Sequence, residues 1–154
     1  MTFGELRAQV GKYSSALRNL GVEKGDRVVG YLPNCPEAII AMAATASIGA
    51  IWSSTSPDFG VSGVLDRFKQ IGPKVIFSVE AVSYNMKVHD HLGKLRQVVD
   101  GIGESLAKVV IVPFCHTDTQ GIRLQGNETF LQEFLETADS SPKLVFEQVN
   151  FRPN

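Results

Sequence analysis

A run of short polar side chains is the part of this sequence best suited to contact a ligand. Residues 53–58 read Ser-Ser-Thr-Ser-Pro-Asp, which supplies four hydroxyl groups and a carboxylate. The run follows a predicted strand and precedes a predicted helix, whose N-terminal N–H groups favour anions. We therefore expect these side chains to contact the polar groups of a ligand. The alternative is a simple helix entry in which Asp58 is the N-cap residue.

A lysine further along the chain is a second candidate for anion binding. Lys87 closes the sequence Tyr-Asn-Met-Lys, which follows the third predicted strand. Because ligands of open α/β sheets bind beyond the carboxyl ends of the strands, we expect Lys87 at the same sheet end as residues 53–58. Its ammonium group could meet a phosphate as a point charge. The alternative is an exposed lysine near the start of a helix.

Three histidines raise the question of a metal site. His89 and His91 flank Asp90, while His116 stands alone in a polar stretch. We predict a helix over residues 88–102, in which side chains two positions apart point to different faces and do not converge on one ion. We therefore predict no metal site, and we expect these histidines to be solvated or bonded locally.

Familiar catalytic motifs are missing from the sequence. It contains neither a GxxxxGK[ST] phosphate loop nor a GxSxG nucleophile elbow. Gly101 and Gly103 are spaced as in a dinucleotide-binding loop, but they follow a predicted helix rather than a strand and lack a third glycine. We therefore assign no catalytic residue.

Capping residues and apolar spacing mark the helices. The first predicted helix begins at the capping-box pair Thr2 and Glu5 and ends at Gly21. The second begins at Pro36 and is so uniformly apolar that we expect it to be buried on most sides. Further helices are predicted over residues 61–71, 88–102 and 129–137.

Short runs rich in β-branched and aromatic residues mark the strands. They cover residues 27–32, 50–52, 74–79 and 108–112, with a weaker candidate at 143–146. The spacing leaves room for a helix in each crossover, which predicts a parallel, doubly wound α/β sheet. We expect a polar loop over residues 113–127 and a coil-like tail from about residue 147 to 154.

Composition limits the classes of partner. A chain of 154 residues can form one domain with a core, and its net charge is −1, without a block of one sign. This balance gives no electrostatic reason to expect nucleic acid or a membrane as a partner. We see no secretory signal, and the longest apolar stretch is too short to span a bilayer. Because Cys35 and Cys115 form no CxxC pair, we expect reduced thiols and a cytosolic protein.

Several segments resemble adenylate-forming acyl-CoA synthetases. Two of them are Thr-Phe-Gly-Glu-Leu at residues 2–6 and Leu-Gly-Val-Glu-Lys-Gly-Asp-Arg-Val at residues 20–28. More specific is the stretch Ala-Ser-Ile-Gly-Ala-Ile-Trp-Ser-Ser-Thr-Ser-Pro-Asp-Phe-Gly at residues 46–60, with Val-Leu-Asp-Arg-Phe at residues 64–68. These two stretches resemble the branch of the family that activates acetoacetate.

The resemblance implies a reaction, its cofactors and some contacts. Members of that branch ligate acetoacetate to coenzyme A, using ATP and Mg²⁺, through an acyl-adenylate and with release of pyrophosphate. The resemblance implies that Ser56, Pro57 and Asp58 approach the nucleotide of coenzyme A and that Lys87 lies near its phosphates. Met86 departs from the family pattern, where we expect glycine, and a side chain there hinders close approach of the backbone.

The resemblance also implies what the chain lacks. The family clamps polyphosphate with a Ser/Thr/Gly-rich loop ending in lysine, and this sequence contains no such loop. We therefore expect residues 1–154 to be part of an N-terminal AMP-binding-type domain with an incomplete sheet, inactive alone. An unpaired sheet edge would then favour self-association. Two alternatives stay open, namely a non-catalytic module that binds the full-length synthetase and a small nucleotide-binding domain of another family.

Overall fold

The computed structural model describes residues 1–116 and 118–149. The helices are α1 (Phe3–Asn19), α2 (Pro36–Ser47), α3 (Val61–Ile71), α4 (Leu92–Ile102) and α5 (Leu131–Glu136). The strands are β1 (Arg27–Tyr31), β2 (Ile51–Thr55), β3 (Val75–Val79), β4 (Ala81–Tyr84), β5 (Lys87–Asp90), β6 (Lys108–Val112) and β7 (Glu128–Phe130). The predicted tail beyond residue 149 lies outside the described residues.

Five strands form the main sheet, in the order β2-β1-β3-β6-β7, and each neighbouring pair is parallel. Helices α1, α2 and α5 cover one face, whereas α3 and α4 cover the other. The prediction of a parallel, doubly wound α/β sheet is therefore confirmed. Strand order reverses between β1 and β3, which places the topological switch point of the sheet there.

The alternation of side chains along the strands explains the two layers. Phe77 and Val110 face α1, α2 and α5, while their neighbours Ile76 and Val109 face α3 and α4. All four side chains are fully buried. A strand covered on both faces needs apolar residues at every position, which is why these runs are continuous rather than alternating.

Helix α1 begins as its capping box predicts. The Thr2 hydroxyl accepts a hydrogen bond from the Glu5 N–H at 3.2 Å, and the Glu5 carboxylate accepts one from the Thr2 N–H at 2.6 Å. For α2 the predicted burial on most sides is confirmed except along one stripe, where Ile39 and Met42 are 53% and 40% exposed. Helix α2 packs on α1 and on the edge strand β2, so its outer stripe is left without a neighbour.

The predicted start of the fourth helix at Val88 is wrong. Residues 81–90 form an antiparallel hairpin of β4 and β5, and α4 begins only at Leu92. The two turn residues, Asn85 and Met86, have φ values of 49° and 61°. A two-residue turn with positive φ at both positions matches the twist of a hairpin, so backbone geometry overrides the helical spacing of Val88.

Two further differences lie in the last third of the chain. Residues 128–130 pair with β6 as the edge strand β7, so α5 begins at Leu131 rather than at residue 129. The predicted strand at 143–146 does not form. That segment instead crosses the outside of α1 and α2, where Arg18 donates to the Val145 carbonyl at 3.2 Å and the Glu147 N–H donates to the Ser47 carbonyl at 2.8 Å.

Candidate functional site

The polar run of residues 53–58 lies at the carboxyl end of β2, but only part of it is a loop. Ser53, Ser54 and Thr55 continue the strand, where Thr55 pairs with Tyr31 of β1. Pairing with β1 overrides the low strand preference of serine. The loop proper is therefore residues 56–60, and we call it the 56–60 loop.

The 56–60 loop is folded by its own side chains. The Ser56 hydroxyl donates to the Asp58 carboxylate at 3.0 Å and accepts from the Asp58 N–H at 3.3 Å. Asp58 is not the N-cap of α3, because Gly60 occupies that position. The alternative prediction for Asp58, a plain capping role, is therefore wrong, and its exposed carboxylate faces outward at the sheet end where ligands bind.

Two side chains from other elements hold the 56–60 loop through its carbonyl groups. The Tyr31 hydroxyl, at the end of β1, donates to the Phe59 carbonyl at 2.7 Å. The Lys94 ammonium, in the first turn of α4, donates to the Pro57 carbonyl at 3.2 Å. The Arg67 guanidinium lies 5.1 Å from the centre of the Phe59 ring. The loop conformation is therefore set before any ligand arrives.

A cavity of about 430 Å³ opens beside the 56–60 loop. Its polar wall includes Ser54, Thr55, Ser56 and Asp58, and its apolar wall includes Trp52 and the exposed stripe of α2. The Thr55 hydroxyl oxygen is buried and has no hydrogen-bond partner among the described residues. A cavity with one apolar wall and a few polar groups has the character of a small-molecule site.

The structure does not bring Lys87 into contact with the 56–60 loop. Lys87 opens β5 opposite Tyr84, beside the turn of the hairpin, and its side chain is exposed. In the described part of the chain it forms no hydrogen bond or ion pair with residues 56–60. Met86 beside it is fully exposed in a left-handed conformation, which only glycine adopts without strain.

The three histidines have different environments. His89 on β5 and His116 are both exposed, which matches the predicted solvation, although the His116 ring nitrogen Nδ1 also lies 3.2 Å from the Glu80 carboxylate. His91 does not, because it is 1% exposed and packs edge-on against Tyr31. This burial is not predicted from the sequence, because the helix predicted over residues 88–102 includes His91, and we expect a solvated or locally bonded side chain there.

Glu80 is a buried carboxylate that the sequence reasoning also missed. It follows β3 directly and accepts hydrogen bonds from the N–H groups of Phe114, Cys115 and His116 at 2.6, 2.6 and 2.7 Å. Burial raises the pKa of the Glu80 carboxyl, but these donations outweigh it and hold the pKa below its usual value. Glu80 thus fixes the chain after β6 to the end of β3.

Both thiols are free, as predicted. Cys35 is buried at the N-terminus of α2 and Cys115 is half-buried in the loop bound by Glu80. Burial raises the pKa of each thiol, so both are held as thiols rather than thiolates. No group of three metal-ligating side chains occurs among the described residues, and none of the helices there is long and apolar enough to cross a membrane.

Comparisons with known proteins agree with this geometry. The family model described as "AMP-binding enzyme" matches residues 1–126. The chain is 57% identical to acetoacetyl-CoA synthetase of Macaca fascicularis over 155 residues, and 45% identical to that of Rhizobium meliloti (strain 1021) over 153 residues. Each match covers 98% of this chain and 23% of the relative.

A solved structure has the same fold. Acetoacetyl-CoA synthetase from Streptomyces lividans matches 96% of this chain and 22% of its own length, with a TM-score of 0.83 and 37% identity. The chain belongs to the AMP-binding enzyme family. Within that family its sequence is similar to acetoacetyl-CoA synthetases, and it spans about a quarter of the length of the relatives it matches. This family assignment decides against a nucleotide-binding domain of another family.

Proposed function

We propose that this chain supplies the coenzyme A-facing part of an ATP-dependent acetoacetate–CoA ligase. In this proposal Ser56, Pro57 and Asp58 contact the nucleotide of coenzyme A and Lys87 meets one of its phosphates. The support is the position of the 56–60 loop at the carboxyl end of β2, together with similarity to acetoacetyl-CoA synthetases. Because Asp58 repels phosphate, its partner would be a hydroxyl or amino group of the nucleotide.

The cofactors of the proposed ligase are ATP, Mg²⁺ and coenzyme A. The described residues fit coenzyme A best, because they offer hydroxyl groups, a carboxylate and a lysine beside one loop. No group of three metal-ligating side chains occurs among them, and we assign no Mg²⁺ ligand to this part of the chain. Bound Mg²⁺ and ATP would activate the acetoacetate carboxylate, so we assign no step of that chemistry to residues of this chain.

We further propose that the 154-residue chain does not form an adenylate. A polyphosphate clamp needs several positioned donors, and this sequence contains no Ser/Thr/Gly-rich loop ending in lysine. The test incubates the purified chain with acetoacetate, ATP and Mg²⁺ and measures pyrophosphate. We expect no release above a boiled control. Release that depends on acetoacetate would contradict the proposal.

Coenzyme A binding tests the main proposal directly. Coenzyme A should raise the melting temperature of the chain, because a ligand of the native state adds about 2.7 kcal/mol of stability at a hundredfold excess over its Kd. ATP at equal concentration should have little effect. Ser56→Ala and Lys87→Gln should each weaken the coenzyme A effect, whereas Lys12→Gln, at an exposed position of α1 that does not line the cavity, should not. No coenzyme A effect on the unsubstituted chain would rule out the proposal.

A second candidate function, a non-catalytic interaction module, is favoured by one feature. Strand β2 forms an edge of the sheet, where Ile51 is 54% exposed, and Ile39 and Met42 of the neighbouring helix α2 are also exposed. An apolar sheet edge can pair with a second copy or with the full-length synthetase. Light scattering over a concentration series would show dimers that Ile51→Lys abolishes. Val88→Lys, at an equally exposed position on the hairpin, is the control.

The proposed ligase acts on small molecules in the cytosol. Two free cysteines support a reducing compartment. The proposal includes neither nucleic acid nor a membrane as a partner, and the net charge of −1 gives no attraction to either. Fractionation of cells expressing the natural protein, with an antibody to it, tests the compartment.

A further inference from the structure

A cation that sequence reasoning did not consider lies at the 56–60 loop. Lys94 is four residues beyond Asp90, in the first turn of α4, and its ammonium donates to the Pro57 carbonyl at 3.2 Å. An ammonium group has three N–H donors. Within the described residues this bond is the only one that Lys94 forms, so its other two donors are open to a ligand.

The 56–60 loop has an anionic group and a cationic group at different positions. The Asp58 carboxylate is engaged by the Ser56 hydroxyl at 3.0 Å, while Lys94 approaches the same loop at Pro57. Burial, with a smaller contribution from the charge of Lys94, lowers the pKa of the His91 imidazole. Because His91 stays neutral in the folded protein, it does not repel Lys94. The loop thus carries one anionic and one cationic group at separate positions.

The position of Lys94 contrasts with that of Lys87. Lys87 lies beside the hairpin turn, and in the described part of the chain it forms no hydrogen bond or ion pair with the 56–60 loop. Lys94 stands on a helix whose Leu92, Leu95 and Val98 are buried in the core, so its backbone is fixed relative to the loop. A cation fixed in this way loses less conformational entropy on binding a ligand than one beside a hairpin turn.

We propose that Lys94 is a further binding residue at the 56–60 loop, holding Pro57 through its carbonyl group and donating its remaining N–H groups to a phosphate of the ligand. This inference rests on the proposed coenzyme A function of the 56–60 loop. It adds a second phosphate contact to the one proposed for Lys87. Binding through a charge on an exposed side chain is weakened by salt, which gives the proposal a specific signature.

The test compares three variants of the 154-residue chain by calorimetric titration with coenzyme A at low and high salt. Lys94→Gln keeps a donor for the Pro57 carbonyl but removes the charge, and it should weaken binding about tenfold and flatten the salt dependence. Lys94→Arg keeps the charge and should stay within about threefold of the unsubstituted chain. Lys12→Gln, on the opposite helical layer, should change nothing. Thermal unfolding without ligand checks that all variants fold equally.

The outcomes separate this inference from the proposed function. If the unsubstituted chain does not bind coenzyme A, the proposed function fails and the role of Lys94 fails with it. If the unsubstituted chain binds and Lys94→Gln binds equally well with the same salt dependence, the inference about Lys94 alone is overturned. Equal losses in Lys94→Gln and Lys94→Arg would also overturn it, because the charge would then be irrelevant.

Discussion

The ring of His91 stands edge-on against the ring of Tyr31, with 4.4 Å between the centroids and 66° between the planes. The His91 nitrogen Nε2 is buried without a hydrogen-bond partner among the described residues. Burial, assisted by the charge of Lys94, lowers the pKa of His91 to about 4. The imidazole is therefore neutral in the folded protein near neutral pH. It packs against Tyr31, whose hydroxyl group donates to the Phe59 carbonyl of the 56–60 loop.

This pair predicts a pH dependence of stability. Above the ordinary histidine pKa of 6.5 both states carry a neutral imidazole, so the contribution of His91 is complete. As the pH falls from 6.5 towards 4, His91 becomes protonated in the unfolded chain but stays neutral in the folded chain. The free energy of unfolding therefore decreases. The slope reaches at most about 1.4 kcal/mol per pH unit.

His91→Phe tests this dependence, since it keeps an aromatic ring against Tyr31 and removes the titrating group. Urea unfolding between about pH 7.5 and pH 4.5 should show a flatter slope for the variant. His89→Gln, at an exposed position of β5, is the matched control and should keep the original slope. An unchanged slope in His91→Phe would show that other groups cause the acid sensitivity.

Glu80 is expected to be a major contributor to stability. Glu80→Gln replaces a charged acceptor of three N–H groups by a neutral one that can accept fewer of them. Hydrogen bonds to charged groups contribute about 1.5–3 kcal/mol each, so we expect a loss of about 3 kcal/mol in the free energy of unfolding. Because the folded pKa is lowered, this stability is present above the usual carboxyl pKa and is lost as the pH falls below it.

Hydrogen exchange gives an independent measurement of the Glu80 contacts. The amides of residues 114–116 should exchange slowly in the unsubstituted chain and at least tenfold faster in Glu80→Gln. Glu104→Gln, at an exposed position after α4, should leave both the exchange rates and the stability unchanged. Equal protection in Glu80→Gln would contradict the assigned role.

Two glycine substitutions should act in opposite directions. A Cβ added at Gly30 of β1 would lie 2.7 Å from the Trp52 ring, so Gly30→Ala forces the ring to move and should cost about 1–3 kcal/mol. Gly63 lies inside α3, where an added Cβ meets nothing closer than 4.0 Å, so Gly63→Ala should stabilise the protein by up to about 1 kcal/mol.

The fluorescence of Trp52 reports on the first substitution, because it is the only tryptophan of the chain. Its emission should shift in Gly30→Ala and stay unchanged in Gly63→Ala. Chemical unfolding of both variants gives the stability changes. A neutral Gly30→Ala with unshifted emission would mean that Trp52 does not cover β1 as described.

Met86 should be replaceable by glycine with a gain in stability. It is fully exposed, so its side chain makes few contacts, and its φ of 61° is unfavourable for any residue with a Cβ. Met86→Gly should therefore add about 1 kcal/mol to the free energy of unfolding, whereas the β-branched Met86→Val should lower it. Thermal unfolding of both variants measures the difference, and the opposite order would contradict the turn geometry.

The sequence predicts the main sheet because the signals for its strands are local and mutually consistent. The capping box at Thr2 fixes the start of α1, and the apolar strands require two covered faces. The hairpin at residues 81–90 escapes prediction because Val88 continues a helical spacing by coincidence. The positive φ angles of Asn85 and Met86 distinguish the hairpin from a helix start. Methionine rarely adopts positive φ, so the sequence did not indicate a turn there.

The candidate site could be predicted only in part. The position of residues 56–58 follows from the strand before them, since the chain must leave the sheet there. The contacts of Tyr31 and Lys94 with this loop join residues 28 and 37 positions apart. Contacts of that kind depend on how two layers pack, and no local pattern encodes them. The burial of the Glu80 carboxylate could not be predicted from the sequence for the same reason, since its hydrogen-bond donors lie 34–36 positions further along the chain.

The order of the main sheet also bears on how the chain folds. Strand β1 pairs with β2 and β3, and each pairing within the main sheet of the described residues is parallel and requires a crossover. The β4–β5 hairpin can close early, yet it lies outside the main sheet and organises none of its strands. The sheet must therefore nucleate through contacts between distant parts of the chain. Closing the long loops between them costs conformational entropy before strand pairing contributes any stabilisation. We expect folding on a timescale of milliseconds or longer, with β1 and β3 joining in the rate-limiting step.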